Sequence, residues 1–405
     1  MTERRVDVVV IGAGIVGLGI AWTVARSGRT VTLVDPDPAT GATYAAAGML
    51  APVSELHYQE EHLLELTLAS AALYPAFVDT LGADSGTAGY QRTRTITVGA
   101  DAADRQSLAD LREVQLAHGL AVEPLTIREA RSLEPLLSPQ LSSAFSIDQD
   151  HQVDPRQLAA RLHSAIAAIA LVRNRSDHSI RQNAVGLLHK HSADAASRVT
   201  GVCLADGSTV TADEVIVANG LAAAQLDGLP DWLSLPLRPV FGDILRLRVP
   251  EHLRPLLTAT IRGLVRGVPV YLVPRSDGTV VLGATQREDG SAAVSAGGVY
   301  QLLRDAQVLV PAVAELELIE VTARARPGTP DNAPLLGRVA RGPGQPTGDI
   351  PGLIIATGFF RHGVLLTPIA AQHCLSLIEG TPDDRWARFR PDRFSVPLSK
   401  EPAHD

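Results

Sequence analysis

Apolar residues in this chain fall into two rhythms: short unbroken runs rich in valine and isoleucine, and longer stretches in which leucine and alanine recur at helical spacing. Val6-Asp7-Val8-Val9-Val10-Ile11 is of the first kind, too short for a helix and too apolar for an exposed strand, and it predicts a buried strand. It runs directly into Gly12-Ala13-Gly14-Ile15-Val16-Gly17, after which the pattern predicts a helix over roughly residues 15–27. A second run, Thr30-Val31-Thr32-Leu33-Val34, ends at Asp35 and Pro36. Strand, glycine turn, helix, second strand and acid stand in the register of a dinucleotide-binding unit. Gly12 permits the tight turn, Gly14 lets the backbone approach a pyrophosphate, and Gly17 lets the helix pack close to the strand. The first helical N–H groups, around Ile15 and Val16, then face the phosphate, and Asp35 stands where a ribose-binding acid belongs. Glycines that serve only close packing are the alternative, and the complete register argues against it.

Beyond Pro36 the loop to Ala42 and Thr43 gives way to Tyr44-Ala45-Ala46-Ala47-Gly48-Met49-Leu50, residues small enough for backbone to pass close to something flat. Leu63, Leu64, Leu66, Leu68, Ala71 and Leu73 predict a helix within roughly 59–83, followed by a Gly/Asp/Ser loop. A strand at about 94–98 and a polar-faced helix at about 102–118 follow, and Thr126-Ile127-Arg128-Glu129 is a capping box opening a short helix. Asp154-Pro155 sets an N-cap acid before an N1 proline, at the head of a helix running to about residue 170. Strands joined through Asp206-Gly207 are predicted at about 199–210, and Glu214-Val215-Ile216-Val217-Ala218-Asn219-Gly220 reads as a buried strand ending in a glycine turn. Further strands are predicted near 243–249, 268–275 and 279–283, the last two a hairpin across Ser276-Asp277-Gly278. A helix at about 298–309 and a strand near 316–324 precede a loop that opens with Arg326-Pro327-Gly328-Thr329-Pro330-Asp331. After a strand at about 352–357, Gly358-Phe359-Phe360-Arg361-His362-Gly363 reads as the opening of a helix running to about 378. The Pro- and charge-rich tail from Gly380 is expected to lie loosely on the surface. The expected fold is α/β: a discontinuous Rossmann-like cofactor domain visited at about 1–50, 151–225 and 320–380, a mixed-sheet α+β substrate domain at about 51–150 and 226–319, and a tail at about 381–405.

Composition narrows this by exclusion. A length of 405 residues suggests two domains, and 45% hydrophobic with 20% charged residues is enough for a core in each. Apolar stretches are strand-sized, or broken by Gly, Pro and charge before the ~20 residues that a membrane span requires. Met1-Thr2-Glu3-Arg4-Arg5 leads into the first strand without a signal-peptide apolar region, so a soluble, cytoplasmic chain is expected. Cys203 and Cys374 lie far apart with no CxxC, which supports neither a metal knuckle nor a disulfide framework; both are expected to be buried thiols. Formal charge is 36 − 44 = −8 with no long basic run, which argues against nucleic acid as a partner. His57 and His151 have no companions at metal-ligand spacing, so no metal is expected. The partner should be a small molecule.

With these motifs the chain resembles the glycine oxidases of the D-amino-acid-oxidase-like flavoenzymes, the branch linked to thiamine biosynthesis. The likeness covers nearly the whole chain. It is carried by residues 11–17, Ala45-Ala46-Ala47-Gly48-Met49-Leu50, Asp150-His151-Gln152-Val153-Asp154-Pro155 and Tyr271-Leu272-Val273-Pro274-Arg275. It continues through Gly283-Ala284-Thr285, Arg326-Pro327-Gly328-Thr329-Pro330-Asp331-Asn332-Ala333-Pro334 and Arg361-His362-Gly363-Val364-Leu365-Leu366-Thr367-Pro368. The first motif is common to dinucleotide folds, while the others are specific to the branch. The resemblance implies extended FAD, with Asp35 on the adenosine ribose beside Pro36. Ala42, Thr43, Ala47, Gly48 and Met49 would line the pyrophosphate and isoalloxazine. Phe359, Phe360, Arg361, His362, Gly363, Val364 and Leu365 would bring helix N-terminal amides to the flavin pyrimidine edge, where a helix dipole favours negative charge. Tyr271 and Arg326 would hold the substrate carboxylate, with Arg361 and Met49 at the same pocket, and the enzyme would be a homo-oligomer.

Blander readings stand beside these: Arg326 as a loop-closing donor, Tyr271 as a core residue, Arg361 as a structural ion-pair partner. Five positions depart from the family pattern. Tyr44 stands where a small hydroxyl residue is usual and would crowd the pyrophosphate loop; Arg94 replaces a glycine, Phe241 a basic residue, Pro269 a histidine and His362 an asparagine. The implied chemistry fits the residue types. A bidentate guanidinium is the side chain best suited to fix the plane of a carboxylate, and a neutral amine expels hydride from the α-carbon to flavin N5 without a general base, by positioning and electrostatics. The leading expectation is oxidation of glycine or a small glycine-like amino acid to an imine and then an α-keto acid, glyoxylate from glycine, with dioxygen giving hydrogen peroxide. An oxidase or dehydrogenase of an N-substituted or otherwise modified glycine, with another electron acceptor in the second case, is the alternative. A flavin-binding protein without turnover is a further one, against which Tyr271 and Arg326 argue. An NAD-dependent dehydrogenase is weaker still, because the C-terminal glycine motif is a flavin feature of the family.

Overall fold

The computed structural model describes residues 4–82, 88–173, 175, 178–192, 195–342 and 345–395. The chain divides into two compact units. Unit 1 comprises Met1–Thr43, Ala159–Pro239 and Arg326–Asp405; unit 2 comprises Tyr44–Leu158 and Val240–Ala325.

Unit 1 is built on an 8-stranded sheet whose central strands are the β-branched runs. Arg4–Ile11 pairs in parallel with Val31–Val34 on one side and with Thr209–Val217 on the other, and Thr209–Val217 pairs in parallel with Asp349–Thr357. Strands covered on both faces need continuous apolar sequence, and Val8, Val9, Val10 and Ile11 are buried accordingly. The helix Ile15–Arg26 follows the glycine turn and packs against Thr367–Glu379. Between sheet and second helix it has almost no wet face, so Ile15, Leu18, Ile20, Trp22 and Val24 are all buried. Ala184–Ser192 and Ala195–Leu204 form an antiparallel extension on Thr209–Val217.

Unit 2 is organised on a second 8-stranded sheet, in the order Glu317–Gly328, Arg238–Arg248, Thr279–Gly283, Val268–Pro274, Thr260–Val265, Thr95–Gly99, Ser143–Ile147 and Glu123–Leu125. Alternation sorts its side chains. Leu245, Ile261, Leu272 and Leu282 point to one face and share a core with Leu302, Ala306 and Leu309 of the helix Ala296–Leu309. Ile244, Val273 and Val281 point to the other and pack on Ala45 and Ala47, with Met49, Tyr271 and Ala284 against them.

Local signals formed as expected. Thr126 caps Ile127–Leu133 reciprocally with Glu129, and Asp154 accepts the Arg156 and Gln157 amides at 2.9 and 3.3 Å at the head of Pro155–Val172. Four expectations need correcting. The helix expected to open at residues 358–363 begins only at Thr367, with Pro368 in its first turn, because Gly358 (φ 71°) and Phe360 (φ 48°) take left-handed conformations that no helix accommodates. Arg326-Pro327-Gly328 closes a strand rather than opening a loop. The tail does not lie loosely: Trp386 and Phe389 are buried, and Arg393 donates to Asp331 at 2.9 and 3.0 Å, while residues 396–405 lie outside the described residues, as does most of the loop expected after residue 82. Cys374 is buried, its thiol pushed up to about 12 by desolvation, but Cys203 is only partly covered. Among the described residues, no helix is long and apolar enough to cross a membrane.

One ion pair ties the edge strand Glu317–Gly328 into unit 2. Arg156 grips Glu320 with both terminal guanidinium nitrogens, Nη2 and Nη1, at 2.6 and 3.0 Å, while its Nε–H donates to the Tyr44 carbonyl at 2.8 Å. The Arg156 hydrogen bonds hold the Glu320 carboxyl at about 2, below its ordinary value of 4.5. A pKa lowered by folding contributes stability that is complete above the unfolded value and is lost as pH falls towards the folded one. Glu320→Gln should therefore cost about 1–2 kcal/mol at pH 7 and only a small fraction of that near pH 2, which urea unfolding at the two pH values measures.

Candidate active site

In unit 1 the three glycines of the first turn are required for different reasons. A Cβ on Gly12 (φ 99°) would lie 2.6 Å from the Ala218 carbonyl, and one on Gly17 would lie 2.0 Å from the Gly12 oxygen, so both are demanded by the protein's own packing. Gly14 is different: a Cβ there would meet only the Thr43 hydroxyl, at 3.4 Å. The protein leaves that side open, as backbone that must approach a ligand requires. Gly14 is also the N-cap of Ile15–Arg26 and supplies no side-chain cap; the Ile15 N–H goes to Thr43 Oγ1 at 2.9 Å. Asp35 braces the turn by accepting from the Ala13 N–H at 2.6 Å and the Asp37 N–H at 2.8 Å, while Pro36 is exposed and Ala42 half-buried. Beside the turn, Asn219 Oδ1 is buried with no partner among the described residues. An acceptor orphaned there fits a nucleotide that brings its own donors.

The second motif of unit 1 arrives at the same place. Phe360 N–H donates to the Pro327 carbonyl at 2.9 Å, which stitches the end of the Arg326 strand to the turn 358–363. Phe359, Phe360, His362, Val364 and Leu365 are buried, Arg361 and Gly363 half-buried. A Cβ on Gly363 would come within 4.0 Å of Val16 Cγ2, so this turn covers the head of the first helix. Arg326 is half-buried, and the Arg361 guanidinium stands 5.3 Å from the Phe360 ring centroid.

In unit 2, Tyr271 lies across Gly283: a Cβ on that glycine would sit 2.4 Å from the tyrosine hydroxyl oxygen. The tyrosine is half-buried, at the edge of the cluster with Met49 and Ala284. Gly48 (φ 73°) has no room for a side chain, since its Cβ would lie 2.0 Å from the Val153 carbonyl. The loop is held from behind by Arg275, which donates to Gln152 Oε1 at 2.8 Å, to the Val153 carbonyl at 3.1 Å and to the Ala47 carbonyl. Burial draws the Arg275 guanidinium down to about 10.

Arg275 and Asn219 were not singled out from sequence as site residues. Each stands inside a motif already noted, one at the end of the Tyr271 strand and one before the Gly220 turn, but the residues that surround each, Gln152 and Val153 for Arg275 and Gly12 for Asn219, are distant in sequence. Of the departures, Tyr44 turns its ring under the Arg156 guanidinium, 3.5 Å from the centroid, and its carbonyl to the same residue. Arg94 pairs at 3.6 Å with Asp148, Phe241 bridges to Arg287, Pro269 is exposed and His362 buried.

The family described as FAD-dependent oxidoreductase matches residues 7–377. The chain is 32% identical over 387 residues to the glycine oxidase of Geobacillus kaustophilus (strain HTA426), covering 93% of each protein. It is 28% identical over 399 residues to the bifunctional protein ThiO/ThiG of Trichormus variabilis, covering 98% of this chain and 56% of that one. The crystal structure of glycine oxidase from Geobacillus kaustophilus superposes with a TM-score of 0.82 at 30% identity, covering 96% of this chain and 99% of that one.

Because Gly14 is spared by packing, it separates ligand binding from folding. Gly14→Val should give protein with the wild-type circular dichroism spectrum but less than about a tenth of the bound flavin, measured by absorbance after purification, since a branched side chain occupies the face the phosphate needs.

Proposed function

We propose that this chain, which belongs to the FAD-dependent oxidoreductase family, oxidises glycine or a small glycine-like amino acid. It is an FAD-dependent amine oxidoreductase with an amino-acid substrate and oxygen as acceptor. The observation that carries the reading is the likeness to a glycine oxidase over almost the full length of both proteins. Bound FAD supplies a two-electron acceptor, so that the amine becomes an imine, dioxygen becomes hydrogen peroxide, and water releases glyoxylate and ammonia when the substrate is glycine.

The chain's own residues bind and orient. Gly12, Gly14 and Gly17 form the pyrophosphate turn, the Val16 amide faces it while the Ile15 amide is held by the Thr43 hydroxyl and fixes the turn from behind, and Asp35, with Pro36 beside it, serves the ribose. Ala42 and Thr43 of unit 1, and Ala47, Gly48 and Met49 of unit 2, are the cofactor-lining residues, and the tight turn 359–365, with its Phe360 and His362 amides held by the Pro327 and Phe359 carbonyls, serves the pyrimidine edge. In unit 1 Arg326 supplies a planar fork suited to a substrate carboxylate, with Arg361 as a second cation of the same role; in unit 2 Tyr271 supplies a hydroxyl donor suited to the same group, with Met49 in its cluster. Fixing the carboxylate plane turns the α-hydrogen in one direction, and this positioning supplies the rate. The likeness to a ThiO/ThiG protein supports the thiamine-biosynthesis branch. A homo-oligomer in the cytoplasm is the assembly and compartment this reading carries with it.

Anaerobic stopped-flow mixing with glycine, sarcosine and D-amino acids tests the reading: flavin bleaching by glycine or a close derivative supports it, and failure of every amino acid removes it. Arg326→Ala should keep its FAD yet lose about 3–5 kcal/mol of transition-state stabilisation, at least a hundredfold in kcat/KM, because a carboxylate is left without its charge-assisted partner.

A further inference from the structure

We infer that Arg275 sets the reduction potential of the bound flavin, its buried charge raising that potential through the loop of Ala47, Gly48 and Met49. The inference rests on the reading of that loop as cofactor lining and adds what the residue behind it does.

Hydrogen bonds fix where the charge stands. Arg275 is 8% exposed and donates only to neutral acceptors: Nη1 reaches Gln152 Oε1 at 2.8 Å and the Val153 carbonyl at 3.1 Å, and Nη2 reaches the Ala47 carbonyl. Gln152 is the direct antiparallel partner of Met49, and the Val153 N–H donates to the Gly48 carbonyl at 2.9 Å. The guanidinium is therefore bonded to the loop at Ala47 and to the strand beside it, roughly one ladder spacing of 4.7–4.9 Å away.

A clamp on carbonyls needs donors, and neutral ones would serve. Here a charge is kept and left uncompensated: Arg275 makes no ion pair among the described residues, and its Nε is buried without a partner there, as is Nε2 of fully buried Gln152. The ionised groups that face it do not cancel it. Asp154 accepts the Arg156 and Gln157 N–H groups at a helix N-terminus whose dipole offsets it, Asp277 is exposed and screened by solvent, and Arg246 has the same sign. Desolvation brings the Arg275 guanidinium down only to about 10, so it is cationic at neutral pH.

A buried cation of this kind is felt farther than an exposed one, because little water lies near it to screen it. Two-electron reduction places negative charge on the flavin ring, so a positive charge behind the loop stabilises the reduced form over the oxidised one. Arg275 thus acts on the ring without touching it, and makes the flavin a stronger acceptor for the electrons of the amine.

Potentials of the FAD-loaded protein, measured anaerobically against reference dyes, separate charge from clamp. Gln152→Glu is isosteric: it keeps the acceptor of the 2.8 Å contact and sets a carboxylate on the guanidinium, which neutralises the charge with the clamp intact. It should lower the potential by about 30 mV or more, a tenfold loss in the two-electron equilibrium. Arg275→Gln, which removes the charge outright, should lower it by as much, while Arg275→Lys, which keeps the charge and loses the fork, should shift it by less than half of that. A potential unmoved in Gln152→Glu, or a fall in Arg275→Lys equal to that in Arg275→Gln, overturns the inference. Should Arg275→Gln fail to retain FAD, Gln152→Glu alone decides. Met49→Trp tests the reading beneath it: flavin absorption and fluorescence unchanged in that variant remove the loop from the ring, whereas altered spectra with a potential indifferent to Gln152→Glu defeat only the role of Arg275.

Discussion

Unit 1 depends on a contact with no side chain in it: the backbone of Gly12 meets the backbone of Ala218 where two parallel strands end, and the Gly12 oxygen meets Gly17 of the helix. Nothing larger than hydrogen fits at either glycine. The helix is thereby drawn onto the strand end, and its first amides are delivered to one point in space. Gly14, between them, is under no such pressure, and that difference separates a residue the fold needs from one a ligand needs.

The sheet of unit 2 works by parity. Because successive side chains point to opposite faces, one set of strands supplies both an apolar core under the helix Ala296–Leu309 and, from the intervening positions, the row Arg262, Tyr271, Gly283 and Ile244. Glycine at 283 is what lets Tyr271 lie flat across the neighbouring strand. A one-residue slip would exchange the two sets, so the core that stabilises the sheet also fixes which residues are offered on its other face.

Buried charge is used in two ways. Arg275 spends its donors on backbone and amide oxygens of Ala47, Gln152 and Val153, so it acts as a clamp on a tight loop rather than as an ion-pair member. Arg262 instead pairs with a carboxylate, Glu55, at 2.6 Å. The segment Arg275 holds carries small residues and glycine and could not order itself by packing alone.

What the sequence by itself determined is what neighbours in the chain decide among themselves. The valine-rich strands, the helix after the glycine turn, the caps at Thr126 and Asp154 and the hairpin at residues 276–278 were legible because each rests on contacts a few residues apart. The glycine motif and the Tyr271 and Arg326 motifs made the family legible as well. Tertiary structure alone decided the rest. The turn at Gly358 and Phe360 is imposed from outside the segment, through the Pro327 carbonyl and the side chain of Thr329, and a helical reading of its composition could not foresee that. The charged tail is held by Trp386, Phe389 and Arg393, too few anchors to show as a period. Arg275 and the pair Glu55–Arg262 owe their contacts to partners brought together by folding, in the last case across 207 residues, and Asn219 owes its burial to the Gly12 turn; no local pattern encodes contacts of that reach.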